Sequence, residues 1–254
     1  MIKNKKNFIL ANMINVSKSQ KENNYFTNYY ANRTGVVIKT LFLLLISFCF
    51  GILSFYFISN SSIFFNPVKF SVFVLSSSTI VCIGLIIYGS FAKYNSLRAV
   101  SIAYALFEGI SIGSLFVIMD VTNFSLLPVF MVALICVCFV FVLMNFLYSC
   151  NILIVNSKFT IFFIILFMFV CSMCFINIFI KNSMVSILVA LGTIVLASLN
   201  LIQNFQEVEY LTRFKLDKKY EWPLAFSFHI ILISLFTDFV ILLYKCNKFR
   251  DKKN

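Results

Sequence analysis

Two carboxylates lie well inside long apolar stretches of this chain, Glu108 and Asp238. A charged side chain at mid-bilayer costs about 2.5–3.5 kcal/mol on insertion scales, so such an acid faces a cavity or a partner. Helical spacing assigns each a set of neighbours. Ser101, Tyr104, Glu108 and Ser111 fall within ~60° of one line at ~100° per residue. Beside them runs Gly109-xxx-Gly113, a small-residue ridge that permits close helix contact. Glu108 is therefore either a cavity-lining acid or a hydrogen-bonded group in a packed interface. Downstream, Ser186, Thr193, Asn200 and Glu207 recur every seven residues, with Gln203 and Asn204 on the same face. Polar groups on one stripe of a membrane helix each need a partner or water, which points to the wall of a hydrated path. Ser227, Ser234 and Asp238 share a third line. His229, the only histidine, is nine residues from Asp238, on the opposite face and ~13 Å along the axis, so no direct His–Asp relay forms on that helix.

Seven apolar segments must position these groups, at roughly 38–59, 69–92, 98–119, 125–148, 159–180, 184–206 and 223–244. Each meets the ~20 residues that a helix needs to cross a ~30 Å hydrocarbon core. No barrel-like alternation and no room for a soluble domain is present. The fold class is an all-α integral membrane protein of seven transmembrane helices. Residues 1–37 form a basic polar segment without a cleavable signal pattern, 38–244 the membrane domain, and 245–254 a basic tail.

The net charge of +12 does not indicate nucleic acid, because the basic residues sit in the termini and short loops. With the N-terminus inside, 14 of them fall on the inner side and 7 on the outer, which favours a cytoplasmic N-terminus. Five of those seven belong to the tail, so either the tail is translocated despite its charge or the last segment does not fully cross. Full crossing is preferred on length.

Other chemistries fit less well. Gly109-Ile110-Ser111-Ile112-Gly113 matches G-x-S-x-G, yet that motif needs a strand–turn–helix elbow and here lies in mid-helix. An intramembrane hydrolase using Ser111 and His229 is a remote reading. The apolar part of the seventh span has no lysine to hold retinal. Cys136/Cys138 and Cys171/Cys174 lack a second pair or a nearby histidine and read as small apolar filler.

Tyr104-Ala105-Leu106-Phe107-Glu108-Gly109, followed by Gly113, resembles the third-helix signature of the Bax inhibitor-1 family, particularly its bacterial, YccA-like branch. Gly35-Val36-Val37-Ile38-Lys39-Thr40 resembles the entry to the first helix. Leu199-Asn200-Leu201 precedes the position of the sixth-helix acid. Glu221-Trp222 opens the seventh helix, and Leu235-Phe236-Thr237-Asp238-Phe239 resembles the motif around its acid. The resemblance spans about residues 30–245.

It implies a bundle with a central last helix and a pH-modulated Ca²⁺ or H⁺ leak, gated by two carboxylates on the sixth and seventh helices that share protons. The protein would not be an enzyme and would hold no tightly bound cofactor, Ca²⁺ being cargo. Its surroundings would be the lipid bilayer of a bacterial cytoplasmic membrane, with another membrane protein as a further partner. A non-conducting regulator that binds a quality-control protease is the alternative. The seventh-helix acid carries over as Asp238, but the sixth-helix position holds Asn204, and an acid common two residues later is Gln206. An Asp–Asn pair has no like-charge repulsion, so weaker pH gating and weaker cation binding are expected. Glu207 or Glu108 remains as a substitute second acid, and Asp238 and Glu108 as the candidate cation ligands. One geometric expectation conflicts with the pairing. An equal-armed hairpin turning near 217 sets Asp238 opposite about residue 196, leaving Asn204 ~10 Å out of register.

Overall fold

The computed structural model describes residues 30–60, 67–92, 94–121, 126–180 and 183–251. They form seven helices: α1 (Arg33–Asn60), α2 (Pro67–Phe91), α3 (Tyr94–Val121), α4 (Leu126–Ser149), α5 (Ser157–Ile180), α6 (Ser183–Arg213) and α7 (Glu221–Asp251). All seven are long and apolar enough to cross a membrane. Most of the basic segment, residues 1–29, lies outside the described residues.

Two helices outrun their apolar spans. The segment after residue 206, expected as a charged connection, continues α6 to Arg213. Residues 245–251, expected as a tail, continue α7. In both cases the polar residues extend an already nucleated helix, which needs no apolar side chains once past the bilayer. The reversal between them is tight. Lys215 adopts φ 48°, Leu216 N–H donates to Leu211 O at 3.2 Å and Lys215 N–H to Thr212 O at 3.3 Å, a left-handed C-terminal cap that ends α6. A 3₁₀ turn, Lys218–Tyr220, then leads into α7.

The last helix is central: α7 packs against α1, α3, α4 and α6. Phe236 of α7 makes edge-on ring contacts with Phe48 of α1 at 5.6 Å and Phe130 of α4 at 5.4 Å, and Phe116 of α3 joins the cluster. By contrast, α4 and α5 keep large apolar side chains such as Phe139, Phe146, Ile165 and Phe179 exposed. Lipid tails solvate such a surface, so it needs no protein cover.

Where helices touch closely, small residues permit it. Gly109 and Gly113 of α3 lie against Ser47, Phe50, Gly51, Ser54 and Phe55 of α1. A Cβ at Gly109 would stand 2.9 Å from Phe50 Cβ, and one at Gly113 would stand 2.9 Å from Phe55 N. With no hydrophobic drive between helices inside lipid, this backbone-level contact is the main attraction.

Candidate functional site

The polar stripe of α6 meets α7 in a regular ladder. Ser227 Oγ donates to Asn204 Oδ1 at 3.0 Å. Eleven residues back along α6 and eleven forward along α7, the Thr193 hydroxyl faces the Asp238 carboxylate. Seven further residues in each direction bring Ser186 to Lys245, whose Nζ donates to Ser186 O at 3.3 Å. Equal and opposite steps are what two straight antiparallel helices of 1.5 Å rise must show. They place the centre of the hairpin between residues 215 and 216, at the left-handed cap.

This register corrects the Asn204–Asp238 pairing that the resemblance implies. The two side chains stand eleven residues apart along the ladder, ~16 Å. Asn204 belongs to Ser227 and Asp238 to Thr193, one turn from the residue-196 partner that hairpin geometry predicts. Among the described residues, no second carboxylate acts on Asp238. The charged group that acts on it there is Lys245, one heptad on along the same helix.

Two features leave hydrogen-bonding capacity on the ladder. Asn204 is buried, and its Nδ2 has no hydrogen-bond partner among the described residues. The Thr193 hydroxyl already donates to Ala190 O at 2.9 Å, so its single proton serves one acceptor at a time. Asn200, Gln203 and Glu207 are half-buried on the same helix. Gln206 is turned away from Asp238, towards Tyr210 Oη at 3.3 Å and Val155 O in the α4–α5 connection at 3.5 Å.

Glu108 occupies a different place. Its carboxylate has the Cys82 thiol of α2 and the Tyr104 hydroxyl, one turn earlier on α3, as hydrogen-bonding neighbours. Tyr104 packs edge-on against Phe226 at 5.2 Å and His229 at 5.8 Å. Those two residues mark a side of α7 that is ~100° or more round from Ser227 and Asp238. Helix α7 thus separates the Glu108 cluster from the ladder, and one path lined jointly by α3, α6 and α7 is not formed by these side chains. Among the described residues, no group of three or more His, Cys, Asp or Glu gathers to hold a metal.

His229 is fully buried and meets Ser47 Oγ of α1 at 2.9 Å through Nε2. Ser47 also donates to Ala105 O at 2.9 Å. A hydroxyl has one proton, so with it on Ala105 O the hydrogen between Ser47 and His229 belongs to Nε2. Nδ1 is then an acceptor, and it too lacks a partner among the described residues. Ser111 bonds instead to Ser78 Oγ of α2 at 2.7 Å. The Ser111–His229 couple that a hydrolase needs is therefore not assembled.

One site was not legible as such in the sequence. Glu221, the first residue of α7, is buried and accepts from Lys39 Nζ at 2.5 Å and from Asn32 N–H at 2.9 Å. Gly35 stands against its carboxyl, where any Cβ would collide. Lys39 and Arg98 flank the Trp222 ring at 5.2 and 5.4 Å. Upstream, Ala31 N–H donates to Leu216 O at 2.7 Å and Tyr30 bridges to Asp217, docking the start of α1 on the α6–α7 turn. The Gly35–Thr40 and Glu221-Trp222 motifs are thus two halves of one clamp. A lysine at the start of the first apolar span was the available signal, since it needs a counter-charge.

A family model described as Bax inhibitor 1 like matches residues 11–248, nearly the whole chain. No curated protein matches it.

Proposed function

Since the chain belongs to the Bax inhibitor 1 like family and is a multi-pass integral membrane protein, we propose that it is a non-enzymatic leak protein, passing Ca²⁺ or protons along the α6–α7 seam. The observation that carries this reading is the ladder Asn204–Ser227, Thr193–Asp238, Ser186–Lys245, with a buried amide nitrogen on it, Asn204 Nδ2, that no described residue satisfies. An unsatisfied buried donor in an apolar span calls for water or a passing ligand. Asp238 supplies the carboxylate of these three rungs. A cation there would complete its oxygen shell from Thr193, helix carbonyls and water. Asn204, Asn200, Gln203 and Glu207 form the rest of the lining, while Glu108 and Gln206 lie outside it. In a bacterial cytoplasmic membrane with the N-terminus inside, as the basic bias of the loops favours, Lys245 stands at the outer end and Asn204 at the inner.

Proteoliposome flux of Ca²⁺, K⁺ and H⁺ from acidic to mildly basic pH tests this. Asp238→Asn should remove the pH dependence of Ca²⁺ flux; an unchanged flux and pH response sinks the reading. The docking of Tyr30 and Ala31 on the α6–α7 turn favours a second reading, in which the basic segment that precedes them in the chain contacts a membrane partner. Deleting residues 2–29 should then abolish partner capture with the helices still inserted.

A further inference from the structure

Asp238 lies seventeen residues into α7, facing a seam of apolar and neutral polar side chains, where a bare carboxylate is costly. Lys245 is the charged group that interacts with it among the described residues. Two turns separate them on one face of α7, ~10.5 Å of rise, which the lysine stem can partly span by folding back along the helix. The ammonium is not loose. It is half-buried and donates to the carbonyl of Ser186, in the first turn of α6. The two charges attract without closing into direct contact, so a gap persists between Nζ and the carboxylate.

We propose that the Lys245 ammonium is the resident cation of the Asp238 site: a tethered charge, parked on Ser186 O, that free cations must displace to reach the carboxylate. The site is built from two helices, with Ser186 O and Thr193 of α6 and Asp238 of α7. It takes a small cation of the ammonium or alkaline-earth class. Neutralising Asp238 from within the same helix stabilises the buried carboxylate, and it repels any divalent ion that approaches while the lysine is parked. A carboxylate–ammonium couple of this kind differs from a pair of carboxylates sharing a proton, because its charge is balanced before any ion arrives. The proposal rests on the leak reading only for its effect on flux; occupancy of the site is independent of conduction.

The test separates the two. Full-length wild type, Lys245→Met, Lys245→Arg and Lys245→Met/Asp238→Asn are placed in nanodiscs, and Ca²⁺ is titrated against thermal unfolding. Lys245→Met should bind Ca²⁺ at least about tenfold more tightly than wild type, because one unit charge acting on another even ~10 Å away shifts an equilibrium by about that much at an effective dielectric of ~20. Lys245→Arg should behave like wild type, and the double variant should lose the gain. Should Lys245→Met prove too unstable to assay, Lys245→Gln replaces it with a polar side chain of similar length. A Lys245→Met or Lys245→Gln protein that binds Ca²⁺ no better than wild type, or whose gain survives Asp238→Asn, overturns the proposal. Ca²⁺ flux in proteoliposomes is measured in parallel. Tighter binding without flux in any variant keeps the tethered cation and refutes the leak.

Discussion

The clamp at the start of α7 gives the most direct quantitative test of the fold. Glu221 is 1% exposed and Lys39 17%. Replacing Lys39 by Met leaves a buried carboxylate with one remaining donor among the described residues, Asn32 N–H. Removing one partner of a buried ion pair costs about 3–5 kcal/mol, most of it the desolvation of the abandoned charge. Glu221→Gln preserves shape and the Asn32 contact but abandons Lys39. That side chain is less deeply buried and has the Trp222 face at 5.2 Å, so its cost is smaller, about 1–3 kcal/mol. The double variant abandons neither charge, and its cost should fall below the sum of the two by about 2–3 kcal/mol. Gly35→Ala offers a second route to the same loss, since its Cβ would occupy the place of the Glu221 carboxyl. Reversible unfolding in mixed micelles of increasing SDS fraction reads all four variants. Additive costs, within about 0.5 kcal/mol, would mean that the pair is not coupled and that the α1–α7 clamp is misread.

Further outcomes follow from other contacts. Gly113→Val should weaken the α1–α3 contact by about 1–3 kcal/mol or more, whereas Gly84→Ala, with nothing within 4 Å of its Cβ, should be neutral or slightly stabilising in the same assay. Ser47→Ala should cost about 1–3 kcal/mol by stranding a fully buried His229 nitrogen, and Ser47→Thr should recover part of it if the methyl group fits. Asn204→Asp, which restores an acid at the position where the resemblance expects one, should not couple to Asp238. In a cycle with Asp238→Asn, the pH profiles of Ca²⁺ flux should be additive, since ~16 Å of helix separates the two carboxylates. Strong coupling would show that the ladder register is wrong.

The seven helices were determined by the sequence alone, because ~20-residue apolar runs can satisfy their backbone in lipid only as helices. The Gly109/Gly113 ridge was equally plain, since a side chain that is absent in the sequence is absent in any packing. Hairpin geometry even placed the partner of Asp238 within one turn of Thr193. What the sequence could not hold is relative rotation and register between helices. Those depend on how the chain reverses at Lys215 and Leu216, and on the docking of Tyr30 and Ala31 against that turn. A single turn of slip along α6 exchanges Asp238's partner, so a motif that marks two acids as a pair says nothing of the distance between them. For the same reason Glu108 and Asp238, alike in composition, ended on different sides of α7. The pairing of Lys39 with Glu221 across 182 residues and the approach of Lys245 to the carboxylate were decided only when the bundle closed, because a charge in an apolar span takes whichever partner the packing brings within reach.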